Sequence, residues 1–171
     1  CKNMIEIASL KEPYRWKTKD LLWSRETRQL FELLLLQGKT MLEIKELIED
    51  NNVFNAASAS RAREIRLTLT KRNAVVDEDF RREYLNATTE LQKVMSIILI
   101  MLTDHTFYEF MDNIFKEKLI TGDLIIKDAD VIGFIHDIQA KDENAAKWTD
   151  GGVKKLRSQY MMILRDAELI P

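Results

Sequence analysis

From Ser24 onward, apolar residues recur at helical spacing. Leu30, Leu33 and Leu34 share one face of a helix that opens at Ser24, and Gly38 stops it. Thr40 and Glu43 have the spacing of a capping box, so a second helix starts there, carries Met41 or Leu42 with Ile44, Leu47 and Ile48 inward, and ends at Asn51 and Asn52. Ala62, Ile65 and Leu69 fall at i, i+3 and i+7 and predict a third helix from Ser58 to Arg72. The acids Asp77, Glu78 and Asp79 suit the positive end of the next helical segment, one long helix or two in succession, from Asp79 to Leu102. Its final third is apolar on nearly all sides and is expected at the centre of a domain.

Phe107, Phe110, Met111, Ile114 and Phe115 mark another amphipathic helix from His105 to Lys118, and Thr121, Gly122 and Asp123 turn the chain. A brief extended piece is expected from Leu124 to Ile126, then a helix capped by Asp128 with Val131, Phe134, Ile135 and Ile138 inward. Ala140 to Trp148 read as a charged loop. Thr149 caps the last helix, whose buried stripe is Val153, Leu156, Tyr160, Ile163, Leu164 and Ala167. The pattern predicts an all-α chain, a compact helical bundle. It divides into an irregular basic arm over residues 1–22, a helical lobe over 23–76 and a second helical lobe over 77–171. In each lobe a basic helix follows shorter ones, the order of a helix-turn-helix module, although the loop before the first basic helix is longer than that motif's usual turn.

Composition adds little to the fold and more to the chemistry. The 171 residues hold 26 lysines and arginines against 28 acids, a net charge of −2. The positive charge is nevertheless concentrated. Arg61, Arg63, Arg66, Lys71 and Arg72 share the third helix with a lone Glu64; Lys154, Lys155, Arg157 and Arg165 lie on the last; Lys11, Arg15, Lys17 and Lys19 lie in the arm. Clustering like charges costs self-repulsion, and a phosphate backbone is the partner that most often offsets it. The cationic residues are thus expected to contact duplex DNA from both lobes, with Ser58, Ser60 and Thr149 donating hydroxyl hydrogen bonds to phosphates while they cap helices. No asparagine or glutamine stands among the arginines in a base-reading arrangement.

The single cysteine is residue 1, so no internal disulfide forms, and a reducing cytoplasm is the expected compartment. The greasiest stretch, Val94 to Leu102, is far short of the about 20 residues a bilayer span requires. No leader for export is read at the amino end. His105 beside Asp104 at a helix start reads as a hydrogen-bonded structural residue, and His136 with Asp137 cannot form a dyad because adjacent helical residues point apart. Asp77 with Asp79 and Asp128 with Asp130 occupy helix starts, where acids are already favoured. The glycines form neither a phosphate loop nor a dinucleotide fingerprint. No catalytic residue, metal, cofactor or small-molecule substrate is expected. Trp148 reads as a staple on the last helix, and Trp16 and Trp23 as packing residues.

Several of these features together resemble the BrxA family of BREX bacteriophage-exclusion systems. They are the serine-led, leucine-rich helix ending at Gly38, the Asn51 and Asn52 stop, the serine-rich lead into Arg61 to Arg72, and the closing run WTDGGVKKLRSQYMMILRDAELI. The resemblance runs from about Trp23 to Ile170. It implies a NusB-like helical bundle with helix-turn-helix elements, an accessory factor without catalytic activity that binds duplex DNA and works beside other BREX subunits. Gly151 and Gly152 depart from the polar helix-starting residues expected there in relatives and would loosen the first turn. Two other readings stand beside this one. The basic helices would dock on acidic surfaces of larger defence subunits, or, following the NusB likeness, bind RNA.

Overall fold

A computed structural model describes residues 7–171. Among them are eight α-helices, two short 3-10 turns and no strand: α1 Ser24–Leu35, α2 Met41–Glu49, α3 Ala59–Ala74, α4 Glu78–Asn86, α5 Thr89–Thr103, α6 His105–Thr121, α7 Asp128–Lys141 and α8 Asp150–Asp166. The chain forms two compact units, one of residues 22–99 and one that joins residues up to 21 with residues 100–171. The sequence reading divides the helices at residues 76 and 77; the units divide inside α5, so α4 belongs with α1–α3, and the arm belongs with α6–α8.

The unit of residues 22–99 is organised by Tyr84 on α4. Its ring is fully buried against the edge of Phe31, with centroids 5.2 Å apart. Its hydroxyl lies 2.8 Å from the Ser24 carbonyl, to which it donates, and 2.9 Å from the Ser96 hydroxyl. Burial pushes the phenol up to about 12, so it is a neutral donor at any ordinary pH. Gln92 donates to the Tyr84 carbonyl at 2.8 Å, which ties α4 to α5 where Ala87 breaks the helix. The expected segment Asp79 to Leu102 is therefore two helices. The second is not buried all round, since Leu91, Val94 and Ile98 leave one side exposed.

Thr40 and Glu43 form the full capping box, both bonds 3.2 Å long, and Gly38 takes a left-handed turn ahead of it. Ile44 and Ile48 point inward, whereas Leu42 is 68 % exposed. The connection from α2 to α3 is a closed loop and not a tight turn. Asn52, with φ 49°, bonds Ala56 twice through its side chain, and Phe54 plugs the loop into the core. At the far end of α3, Arg81 gathers the Asn73 side chain and the Asn73 and Val76 carbonyls, closing that terminus.

The other unit has an aromatic core in which Phe107 and Phe110 of α6 pack on Tyr160 of α8, with centroids 5.2 and 5.1 Å apart, and Phe110 meets Phe134 of α7. All six residues expected on the α8 stripe are buried. No strand forms over Leu124–Ile126, because α6 runs on to Thr121 and Gly122 caps it with φ 74°. Lys127, not Asp128, is the cap residue of α7; the Asp130 carboxylate accepts its N–H at 2.8 Å.

The arm is more specified than its composition suggests. Arg15 exchanges two backbone bonds with the Thr106 hydroxyl, 3.0 and 2.9 Å long. Tyr14 stacks on His105 at 4.4 Å and donates to Glu109 at 2.8 Å, and His105 bridges the Glu12 carbonyl and the same carboxylate. Gln159 donates to the Asp20 carbonyl. Trp16 points the edge of its ring at the first turn of α8, its plane parallel to that of Trp148 with centroids 6.2 Å apart, and its six-membered ring occupies the place where a Cβ on Gly152 would stand. That close approach is the physical reason for glycine at position 152; nothing approaches the Cβ position of Gly151.

The two glycines therefore respond oppositely to alanine. Gly151→Ala is expected to raise stability by about 0.5–1 kcal/mol, the ordinary helix gain. Gly152→Ala should lower it by about 1–3 kcal/mol through overpacking against Trp16. Denaturant titration followed by tryptophan fluorescence checks both. A second expectation concerns acid. Burial tends to raise the Glu109 pKa, but hydrogen bonds from Tyr14 and His105, with Lys141 beside it, outweigh this and hold it below the usual range. Its contribution is present above the unfolded value of about 4.3 and is lost as pH falls from there through the lowered folded value. A fluorescence change of the arm tryptophan over that window is expected in the wild type and should be absent from Glu109→Gln.

Candidate nucleic-acid interface

The cations of α3 are sorted by helical position into different jobs. Ser58 starts the helix by accepting the Arg61 N–H at 3.0 Å, and Ala62, Ile65 and Leu69 set the inward face. On one flank stand Arg61 and Arg72, both over the ring of Trp23, with 5.1 and 5.5 Å from guanidinium carbon to centroid. Arg72 is only 3 % exposed and donates to the Leu22 carbonyl at 3.0 Å. It is a buried packing residue and presents no charge to a phosphate. Arg61 also pairs with Glu64 at 3.0 Å. Trp23 itself is held with φ 47° at the cap of α1; its carbonyl accepts both the N–H and the hydroxyl of Thr27, at 2.9 and 2.7 Å.

On the opposite flank, Arg66 pairs with Glu49 of α2 at 3.2 Å and rims a cleft of about 270 Å³ lined by Leu30, Met41, Ile44, Ile48 and Leu69. The outward face is left to Ser60, Arg63, Leu67 and Lys71, which succeed one another at i, i+3, i+7 and i+11 and are all exposed. Five cations expected together thus become two at the surface. Glu64 was readable, because i, i+3 is an ion-pair spacing within one helix. Glu49 and Trp23, which occupy the other three, lie on other elements and leave no mark in the local pattern.

In the other unit, α8 behaves more as its sequence suggests. Thr149 accepts the Gly152 N–H at 3.1 Å, leaving its hydroxyl hydrogen to donate, as Ser58 does on α3. Lys154, Lys155, Ser158, Met162 and Arg165 are all exposed, and the wheel gathers them within about a quarter of the helix circumference. Arg157 is half-buried at the edge and lies 3.4 Å from Ser158. The first turn is less open to an anion than the lysines imply, since Asp150 stands in it and Trp16 covers Gly152. The cationic surface of α8 accordingly lies along its side and not at its end. Gln159, the amide nearest these cations, is buried, which leaves no base-reading amide on that side.

Among the described residues, no cluster of side chains forms a metal centre. No group of three histidine, cysteine or acidic side chains could hold a metal, His105 is spent on the arm, and His136 is exposed. Among the described residues, no helix is long and apolar enough to cross a membrane.

Comparison with known proteins places the chain among relatives. The sequence model of the BrxA family matches residues 14–171. The BREX protein BrxA of Bacillus cereus (strain H3081.97) is 34 % identical over 135 residues, covering 79 % of this chain and 68 % of that one.

The sorting of cations has a measurable counterpart in stability. Arg72→Met removes a buried charged hydrogen bond and one cation over Trp23, so urea unfolding should reveal a loss of about 2 kcal/mol or more. Lys71→Met, one position away but exposed, should stay within about 0.5 kcal/mol of wild type.

Proposed function

The chain belongs to the BrxA family, and from that premise we propose that it is a non-enzymatic accessory factor of a BREX phage-defence system that binds duplex DNA through its phosphate backbone. The observation that carries the reading is the outer side of α8, where Lys154, Lys155 and Arg165 share one exposed face with Ser158. From Lys154 to Arg165 the helix rises about 16 Å, a length over which a duplex carries on the order of ten phosphate charges. Long cationic stems on such a face reach phosphates without ordering a loop. The exposed side of α3, with Ser60, Arg63 and Lys71, offers a second and independent backbone contact in the other unit, in the position that a recognition helix holds in a helix-turn-helix module.

Recognition of this kind is electrostatic and tolerant of sequence. Lysine and arginine side chains that meet phosphates fix position and affinity, while base choice needs amides or arginines aimed into a groove. The family's BREX context supplies the reason for a general duplex binder, since every duplex presents the same backbone. Other BREX proteins are its natural partners.

Fluorescence anisotropy with a short duplex at several salt concentrations tests the reading. Arg63, Lys71, Lys154, Lys155, Arg157 and Arg165 acting on about six phosphates give log affinity a slope near −5 against log salt. The pair Arg63→Glu with Lys71→Glu should flatten the slope by about 2, as should Lys154→Glu with Lys155→Glu, equally for unrelated sequences. Wild-type protein that shifts no duplex at low salt would refute the proposal, and tighter binding to A-form RNA than to DNA would replace it with the RNA reading.

A further inference from the structure

The unit containing α6–α8 has a second surface of opposite character. A groove of about 340 Å³ runs between α6 and α7; Ile114, Phe134 and Ile138 form its floor, and Glu117 and Asp137 stand exposed on its walls. Lys141 also borders it, but its ammonium is drawn to Glu109 at 3.3 Å and to the face of Tyr14. At the end where α6 turns into α7, four aliphatic side chains are set outward: Leu119, Ile120, Leu124 and Ile125, exposed by 68, 86, 66 and 63 %. Leu119 and Ile120 close α6 and Leu124 and Ile125 follow in the connection, and four exposed aliphatics so close in the chain are apolar surface that a free molecule gains nothing by displaying.

The turn that carries them is braced. Asp123 accepts the Ile125 N–H at 3.1 Å, and Lys118 joins Asp123 and Asp130 at 3.3 and 3.2 Å, fastening the end of α6 to the start of α7. Gly133 adds an independent observation. It lies in the middle of α7 on the wall of the groove, where glycine costs about 0.5–1 kcal/mol against alanine, and no atom of the chain lies within 4 Å of its Cβ position. The fold itself does not require a bare backbone there, and α7 presents an open stretch of backbone along the groove.

We propose that this groove and its apolar turn form a docking site for a basic amphipathic helix of a partner protein, one of the other proteins of the BREX system. The aliphatic residues of that helix meet the floor and the turn, its backbone passes over Gly133, and its lysines or arginines meet Glu117 and Asp137. The sign of the walls selects the occupant, because acidic side chains repel a phosphate backbone and attract a cationic segment. The site is distinct from the DNA-binding faces and goes beyond that reading.

The test mixes the purified full chain with each of the other purified proteins of its BREX system and measures affinity by biolayer interferometry. One of them is expected to bind. Gly133→Leu should fill the groove without harming the helix and weaken that binding at least tenfold. So should Ile120→Ser with Leu124→Ser, and Glu117→Lys with Asp137→Lys. Gly133→Leu should keep its duplex-DNA affinity, which separates failure here from failure of the DNA reading. A photo-crosslinker at Ile120 should map to a segment in which lysines or arginines alternate with aliphatic residues at helical spacing. The proposal is overturned if none of the proteins binds, if Gly133→Leu binds as tightly as wild type, or if the crosslinked segment is acidic. It is also overturned if the isolated chain dimerises and Gly133→Leu abolishes the dimer, since a second copy would then be the occupant.

Discussion

The seating of the amino-terminal arm on α6 and α8 is the constraint on which the unit of residues up to 21 and from 100 depends. These two stretches are far apart in the chain, and closing a loop of that length costs entropy that only specific contacts recover. The contacts are of two kinds: polar ones at Thr106, His105 and Glu109, and the close approach of Trp16 to a glycine in the first turn of α8. Because α8 also carries the outward lysines, the same helix that anchors the arm orients the cationic face. The arm and the outward lysines therefore share one element, with the arm's contacts at Gly152 and Gln159 on a flank of α8 beside the cationic face.

The division of labour among the cations follows from one rule of helix geometry and one of solvation. Residues near the inward stripe cannot keep a charged head in water, so they find partners or are buried with them. Arg72 illustrates the extreme, with a carbonyl and an indole face in place of solvent, and Arg66 the intermediate, with its stem against an apolar cleft and its head on Glu49. Arg63 and Lys71, on the far side, stay exposed. Counting arginines on a helix overstates its electropositive surface unless each is placed on the wheel and against its neighbours.

The helical elements were legible because each is punctuated locally. Thr40 with Glu43, Ser58 and Thr149 start helices through bonds three residues long, and Gly38 and Gly122 end them with left-handed backbone. The core stripe of α8 was legible because a 3.6-residue period leaves little choice once Val153 and Leu156 face inward. Three things were not. The arm's order depends on Thr106 and Gly152, which no local pattern links to residues 14–16. The choice of two helices over one long one between Asp79 and Leu102 depends on Gln92 and Tyr84 meeting across Ala87. Arg72 turns inward because Trp23 lies on that flank of α3, a fact of tertiary packing. Family membership was readable from the ordered helices and the closing run, whereas the acidic groove between α6 and α7 was invisible, since its walls are ordinary exposed acids until two helices set them face to face.

The indole over α8 has an evolutionary corollary. Positions 16 and 152 cannot drift separately: a lineage that keeps the large ring is confined to the one residue without a side chain opposite it, and a lineage that trades the ring for something smaller is released to place any good helix former there. In an alignment of relatives, that pair should change in concert, as a lock and its ward do, while the adjacent glycine at 151 varies without regard to either.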